Sequence, residues 1–213
     1  MIMTSEIVFR ILMFVSFIAM FAIRIYFQSK VLHEKREIDI QENKLSLVAG
    51  SIAALFTLVF GAEYIFFQGT FKFTYLLDYP DWLRWLGVIT LAFGITLLGL
   101  AHYHLGKSFN SLVVAKEDHQ LVTSGPYRKI RHPIYTAYLM NYVAGGLLAS
   151  NLVLTFVPIF FFGLMINNRI PREEAVMREE FGQDYIDLEK RTGRLLPLLK
   201  KNLGNIPTDE EQK

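Results

Sequence analysis

Apolar and polar positions fall in long blocks along this chain rather than at a short period. Five stretches carry almost no charge, at about residues 7–27, 45–67, 83–103, 133–149 and 152–168. A helix that crosses a bilayer needs about 20 mostly apolar residues, fewer when flanking side chains snorkel. Each stretch therefore reads as a spanning helix, with the last two at the short end of the range. Arg10 and Arg24 lie close enough to the ends of the first stretch to reach the headgroups, and Glu63 near the end of the second reads as a snorkelling residue. Trp82 and Trp85 open the third, where interfacial aromatics belong. Only Ser150 and Asn151 separate the fourth from the fifth, so these two form a tight helical hairpin, either spanning or deeply re-entrant.

Composition agrees with the pattern. Of 213 residues 52% are hydrophobic, 18 are Phe and 10 are Tyr, and the mean hydropathy of +0.30 is too apolar for a chain that must keep a wetted surface. There is no Cys, which excludes disulfides, thiolate metal sites and thiol catalysis. The net charge of +2 implies nothing about partners, nucleic acid included. The first apolar run has no basic leader and is long for a cleaved signal, so it reads as a retained span.

Basic residues in the loops set an orientation. Lys30, Lys35, Arg36 and Lys44 fall in the first loop, and Lys107, Lys116, Arg128, Lys129 and Arg131 in the third; the tail after Arg169 is also basic. The second loop has little beyond Lys72, and the hairpin turn has nothing. The expectation is an all-α, multi-pass membrane bundle of five helices with the N-terminus external and the odd loops and C-terminus cytoplasmic. It is read as a single membrane domain over 1–213, made of a three-helix part (1–108), a part holding the loop, hairpin and C-terminal helix (109–200), and a polar tail (201–213).

Two polar segments remain, both on the cytoplasmic side. One, GKSFNSLVVAKEDHQLVTSGPYRKIRHP, joins the third and fourth spans and is too long and patterned for a plain connection. The other, NNRIPREEAVMREEFGQDYIDLEKRTGRLLP, follows the fifth span. Pro171 there suits the first turn of a new helix, and Glu173 and Glu174 suit its positive end. Val176, Met177, Phe181, Tyr185 and Leu188 recur at helical spacing and would lay that helix on the membrane surface or on the bundle.

The combination HQLVTSGPYRKIRHPIY, an apolar hairpin, then RIPREEAVMREEFGQDYIDLEKRTGRLLP resembles the isoprenylcysteine carboxyl methyltransferase family of integral membrane enzymes, prokaryotic members in particular. The likeness runs from about residue 109 to 197; the first three spans share only their apolar character. It implies methyl transfer from S-adenosylmethionine to the C-terminal carboxylate of a prenylated cysteine or a similar lipidic acid, beneath a loop that covers the cofactor at the cytoplasmic face. Related phospholipid methyltransferases share much of the signature. By this resemblance His119, Gln120, Leu121, Val122, Tyr127, His132, Pro133, Ile134, Tyr135 and Glu173 match cofactor contacts. Arg169 matches the catalytic arginine at the acceptor carboxylate. Ala137 stands where the family often has Gly.

The chemistry asks for residues of these kinds. A carboxylate is ionised at neutral pH and needs alignment rather than a general base, and a guanidinium keeps its charge in a poorly hydrated place. Each residue also has a plainer reading: Arg128, Lys129 and Arg131 as positive-inside charges, His102 and His104 as interfacial histidines, Glu173 and Glu174 as helix-start acids. His102 and His104 are two apart and point to different faces, so no metal site is expected. No G-x-G turn, P-loop or G-x-S-x-G elbow occurs. A membrane reductase, or a lipid-binding scaffold without catalysis, are the readings of other classes, and membrane lipids are expected neighbours of either.

Overall fold

The computed structural model describes residues 2–32, 44–106 and 121–198, so His119 and Gln120, with most of the third loop, lie outside the described residues. Among these residues six α-helices follow one another: α1 (Ile2–Leu32), α2 (Lys44–Phe66), α3 (Asp81–Leu105), α4 (Pro133–Ala149), α5 (Leu152–Phe181) and α6 (Gln183–Arg191). No named strand is present among the described residues. Among the described residues four helices, α1, α2, α3 and α5, are long and apolar enough to cross a membrane. The fourth apolar stretch, α4, has 17 residues, about 25 Å at 1.5 Å per residue against a hydrocarbon core of about 30 Å.

Although short, α4 is the centre of the bundle. Leu91, Leu98 and Ala101 of α3 and Ala137, Ala144 and Leu148 of α4 are buried, and two glycines let the backbones touch. A Cβ at Gly87 would lie 3.0 Å from Leu148 N and 3.1 Å from Ala144 O; one at Gly94 would lie 2.5 Å from Asn141 Oδ1 and 3.3 Å from Ala137 O. Lipid tails are as apolar as leucine, so helices in a bilayer are held by close packing of small residues more than by hydrophobic exclusion. Ala137, the departure from the family pattern, thus sits in this seam facing Gly94.

The hairpin turn is fixed by polar side chains. Ser150 takes a left-handed backbone (φ 52°), and Asn151 caps α5 by accepting from Leu154 N at 2.9 Å. Both reach the α2–α3 connection: Ser150 Oγ accepts from Tyr79 N at 2.8 Å and donates to Leu77 O at 3.0 Å, while Asn151 Nδ2 donates to Thr74 Oγ1 at 2.9 Å. At the same end Arg84, buried, donates to Glu6, to Tyr64 OH and to Leu148 O, tying α1, α2 and α4 to α3.

Two expectations need correcting. Glu63 does not snorkel: it is 4% exposed and accepts from Gly69 N at 2.9 Å and from Tyr75 OH, so it folds the loop after α2 inward. Pro171 does not begin a new helix either, because α5 runs unbroken through Pro158 and Pro171 for 30 residues. At about 45 Å it is longer than a hydrocarbon core of about 30 Å by two or three turns, and Arg169, Glu173 and Glu174 lie in its second half. Proline is tolerated inside membrane helices where neighbouring groups compensate for the missing amide. The break comes at Gly182 (φ 52°), where α6 turns away and buries Tyr185 and Leu188.

The seam gives a prediction. Gly87→Ala, which must push against α4 backbone, should destabilise the protein by about 1–3 kcal/mol, whereas Gly99→Ala, whose Cβ meets only Ile23 Cδ1 at 3.9 Å, should leave thermal unfolding in detergent unchanged. Equal melting temperatures for the two variants would show that the glycine contact is not what holds α3 to α4.

Candidate functional site

At the end of the bundle away from the hairpin turn, three remote segments converge: the approach to α4, the end of α5, and the chain after α6. A short 3-10 turn (Gly125–Arg128) delivers the first. Gly125 is obligatory there, since its φ is +56° and a Cβ would fall 2.3 Å from His104 Cδ2. His104 Nδ1 also lies 3.0 Å from Ser124 Oγ, so the last turn of α3 grips the turn that leads to the RHP motif, Arg131 to Pro133. His102 is instead buried against Leu98 O at 2.9 Å.

The chain after α6 is strapped to the motif backbone to backbone. Arg131 N donates to Gly193 O at 2.8 Å, His132 N to Arg194 O at 2.9 Å, and Gly193 N to Lys129 O at 3.1 Å; Thr136 Oγ1 adds a bond to Leu195 O at 2.6 Å. Side chains complete the strap through Glu174, which has no exposed surface. Its carboxylate accepts from Arg131 Nε at 3.1 Å, Arg194 Nε at 2.9 Å and Arg194 Nη2 at 2.6 Å. Arg131 further donates to the carbonyls of Glu189 and Thr192. The carboxylate of Glu174 in turn holds the Arg194 guanidinium above its ordinary pKa range. Arg131 is therefore a structural cation, and Arg194 is a participant that the sequence reading missed.

Glu173, one residue earlier, faces a different way. Its Oε1 accepts from Arg169 Nε at 2.7 Å and from Tyr135 OH at 2.6 Å. Its Oε2 has His132 Nδ1 at 3.5 Å, longer than a well-formed hydrogen bond. The His132 ring stacks on Tyr135 with centroids 5.6 Å apart and planes 20° apart, and His132 Nε2 lies 3.5 Å from Glu174 Oε1. Tyr127 is buried in a cluster with Ala101 and Leu105, with Val122 and Ile134 packed against it. Burial first, and the charge of Glu173 second, push its phenol above the ordinary range, so it stays neutral.

The sequence-predicted residues thus gather in part. His132, Tyr135, Arg169 and Glu173 form one connected group; Tyr127, Val122 and Ile134 pack together near the end of α3; Pro133 opens α4 fully buried; and Leu121 lies at the start of the described approach to the turn. His132, just ahead of α4, and Glu173, in α5, lie far apart in sequence yet meet at 3.5 Å. Among the described residues no cluster of three His, Asp or Glu side chains could hold a metal ion.

The architecture is that of a multi-pass, all-helical membrane protein with a polar site at one end. Residues 85–179 match the model of the Isoprenylcysteine carboxyl methyltransferase (ICMT) family, so the family likeness expected from the motifs holds and extends upstream into α3. The chain is 30% identical over 121 residues to the protein-S-isoprenylcysteine O-methyltransferase of Rattus norvegicus, covering 56% of this chain and 43% of that one. It is 28% identical over 140 residues to protein-S-isoprenylcysteine O-methyltransferase B of Arabidopsis thaliana, covering 65% and 68%. Its fold is similar to the solved structure of a eukaryotic intramembrane Ras methyltransferase ICMT, with a TM-score of 0.51 and 24% identity over 72% of this chain and 51% of that chain. The chain spans less than half the length of the vertebrate relatives it matches.

The strap predicts unequal costs for two acidic residues. Glu174→Ala would leave the largely buried Arg131, 10% exposed, without its anion and should destabilise the protein by about 3–5 kcal/mol. Glu189→Ala, which loses a pair with the partly exposed Arg178, should cost under about 1 kcal/mol. Denaturant unfolding in detergent followed by circular dichroism separates the two.

Proposed function

We propose that this chain is an S-adenosylmethionine-dependent methyltransferase that esterifies the carboxylate of an isoprenylated cysteine or a similar lipidic acid at the cytoplasmic membrane face. The reading takes all five long apolar stretches as membrane-embedded, with the N-terminus external. The observation that carries it is the group in the second half of α5, where Arg169, Glu173, Tyr135 and His132 connect in one polar cluster.

The residues fit the cofactor. Bound S-adenosylmethionine supplies an electrophilic methyl on a sulfonium, together with an ammonium, a carboxylate, a ribose and an adenine to be held. Glu173 offers an acceptor of the right charge: Oε1 is occupied by Tyr135 and Arg169, while Oε2 keeps capacity for an ammonium. His132 and neutral Tyr127 provide hydrogen-bonding and apolar surface, and His119, Gln120, Leu121 and Val122 are assigned to the same cofactor on the family resemblance.

Arg169 aligns the acceptor. A guanidinium has five N–H groups, and its Nε is spent on Glu173, which sets the plane of the fork. Holding the carboxylate in line with the methyl is worth more than activating it, because the anion is already formed. Next to this cluster, Tyr135, Tyr138 and Tyr142 of α4 line up against Phe162 of α5 at centroid distances of 6.1, 5.8 and 5.1 Å. This aromatic run descends from Glu173 toward the bilayer and suits an isoprenoid chain entering sideways. A water-poor wall also favours a step in which anion and sulfonium charge cancel.

Arg169→Ala should lower turnover on a prenylcysteine analogue by about 10²–10³ while changing cofactor affinity far less; intact methylation would remove the assigned role. Glu173→Gln should do the reverse, weakening S-adenosylmethionine binding in calorimetry before it affects turnover of bound enzyme. Since the two side chains are bonded, the double variant should lose less than the sum of the singles. Radiolabelled methyl transfer into prenylcysteine analogues and into membrane lipids, run side by side, distinguishes a carboxyl methyltransferase from a phospholipid methyltransferase.

A further inference from the structure

A cavity of about 470 Å³ opens at the hairpin-turn end of the bundle, the whole length of α4 away from His132. Its floor is the Arg84–Glu6 pair, with Gln68 donating to Glu6 at 2.9 Å and Ser150 beside it. Those charges satisfy each other. Lys72 and Asp78, which also line the cavity, do not: both are exposed, and neither pairs with any group among the described residues. Around them the surface is apolar and outward-facing, with Leu76 71%, Leu77 54% and Trp82 68% exposed. An unpaired cation and an unpaired anion sharing one recess, rimmed by side chains that belong at a lipid interface, match a ligand that carries both charges and two greasy tails.

We propose that this cavity binds the zwitterionic headgroup of a phospholipid, with its phosphate on Lys72, its ammonium on Asp78 and its acyl chains along the rim at Leu76, Leu77 and Trp82. The site is separate from the proposed methyl-transfer site and does not depend on that reading. The rigid floor supplies its specificity: Arg84 is neutralised by Glu6, so the recess carries no excess positive charge, and an anionic lipid gains only the Lys72 contact.

The test uses the full chain, delipidated in detergent, and follows its thermal unfolding on adding phosphatidylethanolamine, phosphatidylglycerol or diacylglycerol of one acyl composition. The site requires the largest upward shift from phosphatidylethanolamine, a smaller one from phosphatidylglycerol and none from diacylglycerol. Asp78→Ala should abolish the preference between the two phospholipids, and Lys72→Ala should weaken both by roughly tenfold or more in half-saturating concentration. Lys72→Arg and Asp78→Glu should restore the wild-type response, which separates lost binding from lost folding. Soluble phosphoethanolamine giving the full shift would overturn the lipid as source. Equal responses of wild type and both alanine variants, or diacylglycerol as effective as the phospholipids, would overturn the site itself.

Discussion

Glu174 is a carboxylate with no access to water, and the site end of the molecule is arranged around the need to neutralise it. Burying an unpaired charge costs several kcal/mol, so the fold is stable only if cations come to it. They come from two places in the chain: Arg131 ahead of α4 and Arg194 beyond α6. Their arrival brings the two backbones together, and the short bridge between Ile130 and Gly193 forms as a result. A single buried anion on α5 thereby converts three remote segments into one wall.

That wall needs a fixed support, which the α3–α4 seam provides. Because Gly87 and Gly94 allow α3 to lie against α4 backbone, the last turn of α3 arrives beside the turn at Gly125, and His104 closes the contact. An added methyl group in the middle of the membrane would shift the register of the helix pair and move the RHP motif relative to Glu173. Packing in the bilayer and geometry at the polar end are one constraint seen at two depths.

Much of this was legible in the chain. The apolar blocks place α2, α3 and α4 within two residues at each end, and the Ser150–Asn151 interval places the hairpin, because hydropathy and turn residues are local signals; the fifth block stops well short of the end of α5. The two polar motifs gave the convergence of His132 with Glu173. What stayed hidden is non-local or ambiguous. Pro171 followed by acids reads as a helix start, yet once Leu152 to Ile170 is helical the rod simply continues, and only Gly182 stops it. Glu63 near a span end looks like a snorkelling group until the loop amide of Gly69 is seen to fold onto it. Arg194 gave no signal, since backbone pairing between residues 130 and 193 has no periodicity to detect. The family match begins in α3, where the glycines that matter are invisible to a hydropathy reading because they count as ordinary members of an apolar run.

The paired glutamates show how adjacent residues of one type take different work. Successive side chains on a helix point about 100° apart, so Glu174 faces the strap while Glu173 faces Tyr135 and Arg169. Glu174 is saturated by guanidinium donors and can only be structural. Glu173 holds one oxygen fixed and leaves the other short of a full hydrogen bond, which is the condition for recognising a cation without first displacing one. On the proposed reading the same bond also serves the second substrate: Arg169, pinned by Nε to Glu173, presents its fork in a plane set before the acceptor arrives.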